Sequence, residues 1–239
     1  MKIIEAFWEK RNLGVTCQEV IIESYDIDIN ACLTSLRAQY QVVKTPIERP
    51  ELIFRLQDLG FKFIEVQFLS SHNLNIPPLN PVLERLKKSI TFSVANGASL
   101  ENIEKKILDG VFKTDRVAID PNFGLQKSSK RYVGWLHDTL EQGGHIYELR
   151  YKHNPVGFFL LKTNKTICEG VIGGTFPDPK IIGLGTLLNY FEIIASQDLG
   201  CQKLHINFSS NNPSILKINN YLNYETVPVF NVFVRHRCA

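Results

Sequence analysis

The chain has 239 residues, enough to bury a core as one large domain or two small ones. Hydrophobic residues make up 44% and charged residues 21%, the balance of a soluble globular protein. A formal charge of +3, with Lys and Arg scattered apart from Lys127, Lys130 and Arg131, excludes a basic footprint for nucleic acid or a membrane surface.

Cys17, Cys32, Cys168, Cys201 and Cys238 are odd in number and widely spaced, so neither a metal site nor a disulfide framework is expected. The opening residues Met-Lys-Ile-Ile-Glu-Ala-Phe-Trp lack an h-region, and no apolar run reaches the roughly 20 residues of a membrane helix. The expectation is a cytoplasmic protein with reduced thiols.

In chain order, residues 28–39 place Ile29, Cys32, Leu33 and Leu36 at helical spacing, with Asp28 as cap. Residues 40–45 form a short β-rich run stopped by Pro46. A helix spans 50–59, with Pro50 at its start and Gly60 past its end. Residues 61–69 alternate apolar and polar, as a half-buried strand does. The turn-rich stretch 72–81 divides the chain into an expected domain over 1–78 and a second over 79–239.

Beyond it, 100–108 reads as a helix capped by Ser99. Another spans 129–142, with Tyr132, Trp135, Leu136 and Leu140 as its packing stripe. Strands are expected over 145–151, 156–162 and 167–176. The last third alternates helix 186–197, strand 203–208, helix 213–222 and strand 227–234. This plan echoes the first third: Pro50-Glu-Leu-Ile-Phe-Arg-Leu-Gln-Asp-Leu-Gly-Phe61 and Pro213-Ser-Ile-Leu-Lys-Ile-Asn-Asn-Tyr-Leu-Asn-Tyr224 lie 163 residues apart. The pattern implies two copies of a helix–strand–helix–strand unit, the first truncated.

The informative passage runs from Gly173 to Leu188. A strand ends, a loop turns, and a helix starts at Gly183-Leu184-Gly185-Thr186, preceded by Lys180, Ile181 and Ile182. Amide groups at such a helix start have no intrahelical partners and suit a phosphate. Glycines let a pyrophosphate approach the backbone, and Lys180 adds a charge-assisted contact. The bland reading is a tight strand-to-helix turn. Leu188 stands where a dinucleotide fingerprint needs a third glycine, and no Gly-Lys-Ser/Thr follows, so a dinucleotide-binding or P-loop fold is disfavoured.

Residues 90–236 resemble the Gcn5-related N-acetyltransferase superfamily. The pyrophosphate loop of that family, Gln/Arg-x-x-Gly-x-Gly/Ala, is matched by Lys180-Ile-Ile-Gly183-Leu-Gly185, and its helix-leading Asn by Asn212. Phe112-Lys-Thr-Asp115-Arg116-Val-Ala-Ile-Asp120-Pro121-Asn-Phe123, Tyr132-Val-Gly-Trp135 and Pro155-Val-Gly157-Phe158 are similar to bacterial dTDP-fucosamine N-acetyltransferases, which carry an N-terminal half-copy of the fold. The resemblance implies an α/β protein, a mixed sheet flanked by helices after a truncated half-copy. It also implies acetyl-CoA as co-substrate, without metal, and the amine of a nucleotide-linked amino sugar as acceptor, with an amino acid or another small amine as the alternative. A homodimer is compatible with it.

By the same resemblance Gly174, Thr175 and Phe176 would pair with the pantetheine arm and polarise the carbonyl, with Ile182, Leu184 and Thr186 completing the CoA loop. Asp115, Arg116 and Asp120 sit where the acceptor enters. Glu169 occupies a region where relatives carry a base, and His205 either reaches the acyl site or forms its strand's polar face. The family's acid, a Tyr in the last helix, falls at Asn219, which cannot donate a proton in the same way. Tyr221 is turned about 200° from it on a helical wheel. A catalytically degenerate fold acting as a CoA-binding or interaction module is the rival that this departure favours.

Overall fold

The structure is a computed structural model and describes residues 1–23, 29–176 and 181–237. Strand β1 (Lys2–Glu5), α1 (Phe7–Leu13), β2 (Cys17–Ile21), α2 (Ile29–Ser35), β3 (Tyr40–Pro46), α3 (Glu51–Asp58) and β4 (Lys62–His72) form the first part. The chain continues through α4 (Pro81–Lys87), β5 (Ile90–Val94), α5 (Gly97–Leu108), α6 (Arg116–Ile119) and α7 (Gly124–Glu141). Strands β6 (His145–Tyr151), β7 (Asn154–Asn164) and β8 (Ile167–Thr175) follow. The last part is α8 (Leu184–Asp198), β9 (Lys203–Ser209), α9 (Pro213–Tyr221) and β10 (Glu225–His236).

The strands make one ten-stranded mixed sheet, ordered β1-β2-β3-β10-β4-β9-β8-β7-β6-β5. Side-chain alternation along β7 sends Phe159 and Leu161 into a core with α8, and Phe158 and Leu160 into another with α5 and α7. Along β3, Val43 packs with α2 and α3, while Tyr40 and Val42 pack with α1 and Val117 of α6. Helices therefore cover both faces, giving three layers.

The expected division at 78/79 falls in the loop between β4 and α4, and the sheet runs across it: β10 lies between β3 and β4. The spacing of 163 recurs in the elements. β3 starts at Tyr40 and β9 at Lys203; β4 starts at Lys62 and β10 at Glu225. The pairing registers repeat too, since Gln67 faces Ser209 in the β4–β9 ladder and Phe230 faces Pro46 in the β10–β3 ladder, each residue displaced by 163 from its counterpart. Gln67 and Phe230, themselves 163 apart, face each other where β4 meets β10. Each part thus places its last strand beside the other part's parallel pair.

Two helix starts differ from expectation. Asn96, not Ser99, caps α5: its side chain accepts the Ser99 N–H at 2.9 Å, and Ser99 lies inside the helix, donating to Glu148. A cap needs non-helical backbone, and Asn96 supplies it (ψ 179°) while Ser99 is already helical. Helix α7 starts at Gly124 instead of Ser129. It packs so closely on α1 that a Cβ at Gly134 would collide with the Asn12 side chain. The cap expected at Asp28 and the contact expected from Lys180 lie outside the described residues.

Candidate functional site

Strands β8 and β9 pair in parallel only from Ile167–Lys203 to Gly170–Ile206. Past that point β8 runs on to Thr175 and β9 to Ser209 without pairing to each other. On its other edge β8 pairs with β7, where Leu160 faces Ile172 and Leu161 faces Gly170, leaving Val171 as an extra, bulged residue. A bulge bends its strand and increases the local twist, which accounts for the separation beginning there. The result is a V-shaped gap edged by peptide groups that have no ladder partner on that side, ready to pair with an extended ligand.

A cavity of about 570 Å³ fills this gap. From α8 and α9 it receives Leu188, Asn189, Glu192, Asn212 and Ile215; Glu169 to Gly173 and His205 to Ser209 form the strand walls. Gly173 keeps the gap open, because a Cβ there would lie 3.1 Å from Glu192 Oε1 and 3.3 Å from Leu188 Cδ2. Gly174 has no room either: Val111 Cγ1 would stand 2.7 Å from its Cβ. The Glu192 carboxyl is 4% exposed, and burial pushes it up to about 8.

The cavity's other wall is a charged pit built mostly from the first part of the chain. Glu19 of β2 pairs with Lys44 of β3 at 2.8 Å and with Arg116 at 3.4 Å; Arg116 approaches Glu65 of β4 at 4.0 Å. Burial pushes Glu19 up, but Arg116 and Lys44 outweigh it and hold its carboxyl below the ordinary range. Burial pulls Lys44 down against the opposing pull of Glu19. Arg116 stays charged, yet its buried Nε has no hydrogen-bond partner among the described residues. Arg131 pairs with Glu9 at 2.7 Å and stacks on Trp135 at 3.8 Å, while Tyr132 stacks on Phe112 at 4.1 Å.

The residues singled out in the sequence are distributed unevenly. Glu169, His205, Asn212, Asp115 and Arg116 line the cavity. Glu169 and His205 face each other in the last paired stretch before the gap. Asn212 leads α9 without capping it by its side chain, which leaves the amide to the cavity. Asp115 caps α6, accepting from Val117 N and Ser128 Oγ, so both oxygens are engaged. Asp120 lies away from the cavity, buried and joined to His236 at 2.7 Å.

Asn219 is fully buried and donates to Ser70 Oγ at 2.8 Å; the Tyr221 hydroxyl accepts the Asn80 N–H at 2.8 Å. Neither side chain lines the cavity. Gly174, Thr175 and Phe176 follow the stretch of β8 that does, with Phe176 buried in the core beneath α5. Gly183 (φ 90°) leads α8 with no side-chain cap; the N–H groups of Leu184, Gly185 and Thr186 open the helix, and Ile182 beside them is 88% exposed. Glu192, Lys44, Glu19, Glu65 and Arg131 escaped sequence reasoning. For Glu192 a signal existed, as it is the one charge between Leu184 and Gln197 of an otherwise apolar helix.

No protein-family model matches the chain, and no curated protein matches it in sequence. Solved structures are similar to it. A GCN5-related N-acetyltransferase from Sphaerobacter thermophilus superposes with TM-score 0.58 at 9% identity, over 82% of this chain and 59% of that one. One from Kribbella flavida gives 0.53 at 15% identity, over 94% and 82%. A tandem GNAT protein from the clavulanic acid biosynthesis pathway gives 0.52 at 9% identity, over 82% and 64%. This chain thus spans less than two thirds of the first and third of these. At such identities the likeness concerns architecture: the chain has the GNAT fold, a large mixed sheet flanked by helices.

Proposed function

We propose that the chain is an acyl-CoA-dependent N-acyltransferase that moves an acyl group, acetyl in the simplest case, to the primary amine of a small zwitterionic acceptor such as an amino acid. The observation that carries this is the gap between β8 and β9, which opens onto a charged pit.

The residues present fit CoA. Unpaired peptide edges past Gly170 suit the amide-bearing arm, Gly173 and Gly174 leave no side chain in its way, and Asn212 offers an uncommitted amide. Gly183 and the first amides of α8 suit the pyrophosphate. CoA supplies an activated thioester. Peptide N–H groups at the bulge would polarise its carbonyl, and alignment of the two substrates would lower the barrier further. Glu169 and His205, at the closed end of the gap, are the candidates to take the proton of the incoming amine.

The pit supports a zwitterion because it presents both signs side by side: Glu9, Glu19, Glu65 and Asp115 with Lys44, Arg116 and Arg131. Arg116, with its unpartnered Nε, suits a carboxylate, and Glu65, whose nearest cation stands 4.0 Å away, suits an ammonium group. The second reading is a nucleotide-linked amino sugar, favoured by the resemblance around Asp115, Arg116 and Asp120. A diphosphate would need an excess of cations that the pit lacks. The test is thiol release from acetyl-CoA with a panel of amino acids and of nucleotide-linked amino sugars. Release that rises with an amino acid supports the first reading and with an amino sugar the second. A folded, CoA-binding sample that answers to no amine overturns both and leaves the interaction-module reading.

A further inference from the structure

Acyl transfer needs a proton at sulfur as the thiol departs, and the groups expected in that role are elsewhere: Asn219 is committed to Ser70, and Tyr221 to Asn80. One titratable side chain in the gap is unused. Glu192 is 4% exposed and lines the cavity, and its carboxyl makes no hydrogen bond or ion pair among the described residues. Its Oε1 lies 3.1 Å from the place a Cβ on Gly173 would occupy, directly below the unpaired stretch of β8. Burying a carboxyl without a partner costs free energy that a Leu in the same helix would not, so packing does not account for it.

Spacing locates the reacting atom. Glu192 stands nine residues past Gly183, and a helix rising 1.5 Å per residue sets them about 13.5 Å apart along the axis. The CoA arm from phosphate to sulfur has thirteen bonds, one more than the backbone of four peptide residues, and extends roughly 14–15 Å. With the pyrophosphate at the start of α8 and the arm along the gap, the sulfur arrives beside Glu192.

We propose that Glu192 is the proton donor to the sulfur of the departing CoA; this rests on the acyl-CoA reading above. In the balanced step the C–N bond forms and the C–S bond breaks. The amine's proton passes to a base, the Glu192 proton passes to sulfur, and solvent reprotonates the carboxylate. Burial supplies the required state, pushing the carboxyl up to about 8, so that it is neutral at pH 7. The titratable groups facing it are Tyr224 and Cys168, both pushed up by burial, with Glu169 and His205 at the end of the gap. No cation pairs with it among the described residues.

Infrared difference spectroscopy tests this without an acceptor. The protonated-carboxyl band at pH 7 is assigned by its loss in Glu192→Gln, whose folding is verified by its melt. It is then followed as acetyl-CoA or its dethia analogue, with methylene in place of sulfur, saturates the protein by calorimetry. The expected result is a band shift with acetyl-CoA that the analogue does not reproduce. A band unmoved at saturation, moved equally by both ligands, or absent from the wild type overturns this inference alone. Failure of acetyl-CoA to bind a folded wild type overturns it together with the proposed function.

Discussion

Strands β2 and β3 lie parallel and stay paired through all five residues of β2, from Cys17–Tyr40 to Ile21–Lys44. In the equivalent place of the later part, β8 and β9 separate after four pairs. The two regions share the succession strand, helix, strand, helix, strand, and the registers of their last strands repeat at 163 residues, so the difference lies in local chemistry. Between Gly14 and Gly60 the first region has no glycine; the second has Gly170, Gly173 and Gly174 in β8 and Gly183 and Gly185 at its helix start. It also has the bulge at Val171. Where a bulge and missing side chains open one parallel pair, branched residues such as Val20 and Val43 close the other. The closed region retains a use: Glu19, Lys44 and Glu65 form the wall that faces the open one.

The largest expected effect comes from cutting the tie between the two regions. Arg131→Ala leaves Glu9 buried without its cation, a loss of about 3–5 kcal/mol. For a chain of this size that lowers Tm by roughly 6–20 °C. One shifted transition in calorimetry is expected; two separate transitions would show that the regions melt independently. Leu33→Ala, under the closed pair and fully buried, costs about 2–5 kcal/mol and leaves the affinity for acetyl-CoA unchanged below the melt. Gly173→Val does the reverse. It puts a branched side chain against Glu192 and Leu188 and weakens acetyl-CoA binding by ~100-fold, about 2.7 kcal/mol.

Glu192 gives the comparison a pH dependence. Its carboxyl is raised in the folded state from an unfolded value of 4.5 to about 8. The native protein therefore holds a proton that the unfolded chain has released, and stability is fullest below 4.5 and declines as pH rises towards 8. Melts of the wild type should fall by several degrees between pH 5 and pH 8 relative to Glu192→Gln. Parallel curves would place the carboxyl in water or beside a cation. The smallest effect belongs to Arg11, more than half exposed, which reaches Asp138 across the same α1–α7 contact. Arg11→Ala should cost less than about 1 kcal/mol by chemical denaturation.

Strong periodicity made part of this legible in the sequence. The elements from Tyr40 to His72 and from His145 to His236 agree with expectation to within a few residues, because alternation and helical spacing mark their buried faces. Strands β1, β2 and β5 and helices α1, α4 and α6 were unread, being short, with few residues to establish a period. The exchange of β4 and β10 depends on pairings between residues about 160 apart, which no local pattern encodes. Of the candidate site, the turn into a helix singled out Gly183 and Gly185, and the family resemblance singled out Asn212. The ion pairs of Glu19, Lys44 and Glu65 could not be read, since each residue comes from a different strand and looks like any half-buried polar position.

In the function proposed above, the open strand pair, and not its closed counterpart, holds CoA. Isothermal titration of acetyl-CoA and free CoA into the wild type, Gly173→Val and Leu33→Ala tests it most directly. Saturable binding at one site per chain is expected for the wild type and Leu33→Ala, with an affinity ~100-fold weaker in Gly173→Val. Wild-type affinity in Gly173→Val, or no binding by a folded wild type, would contradict it.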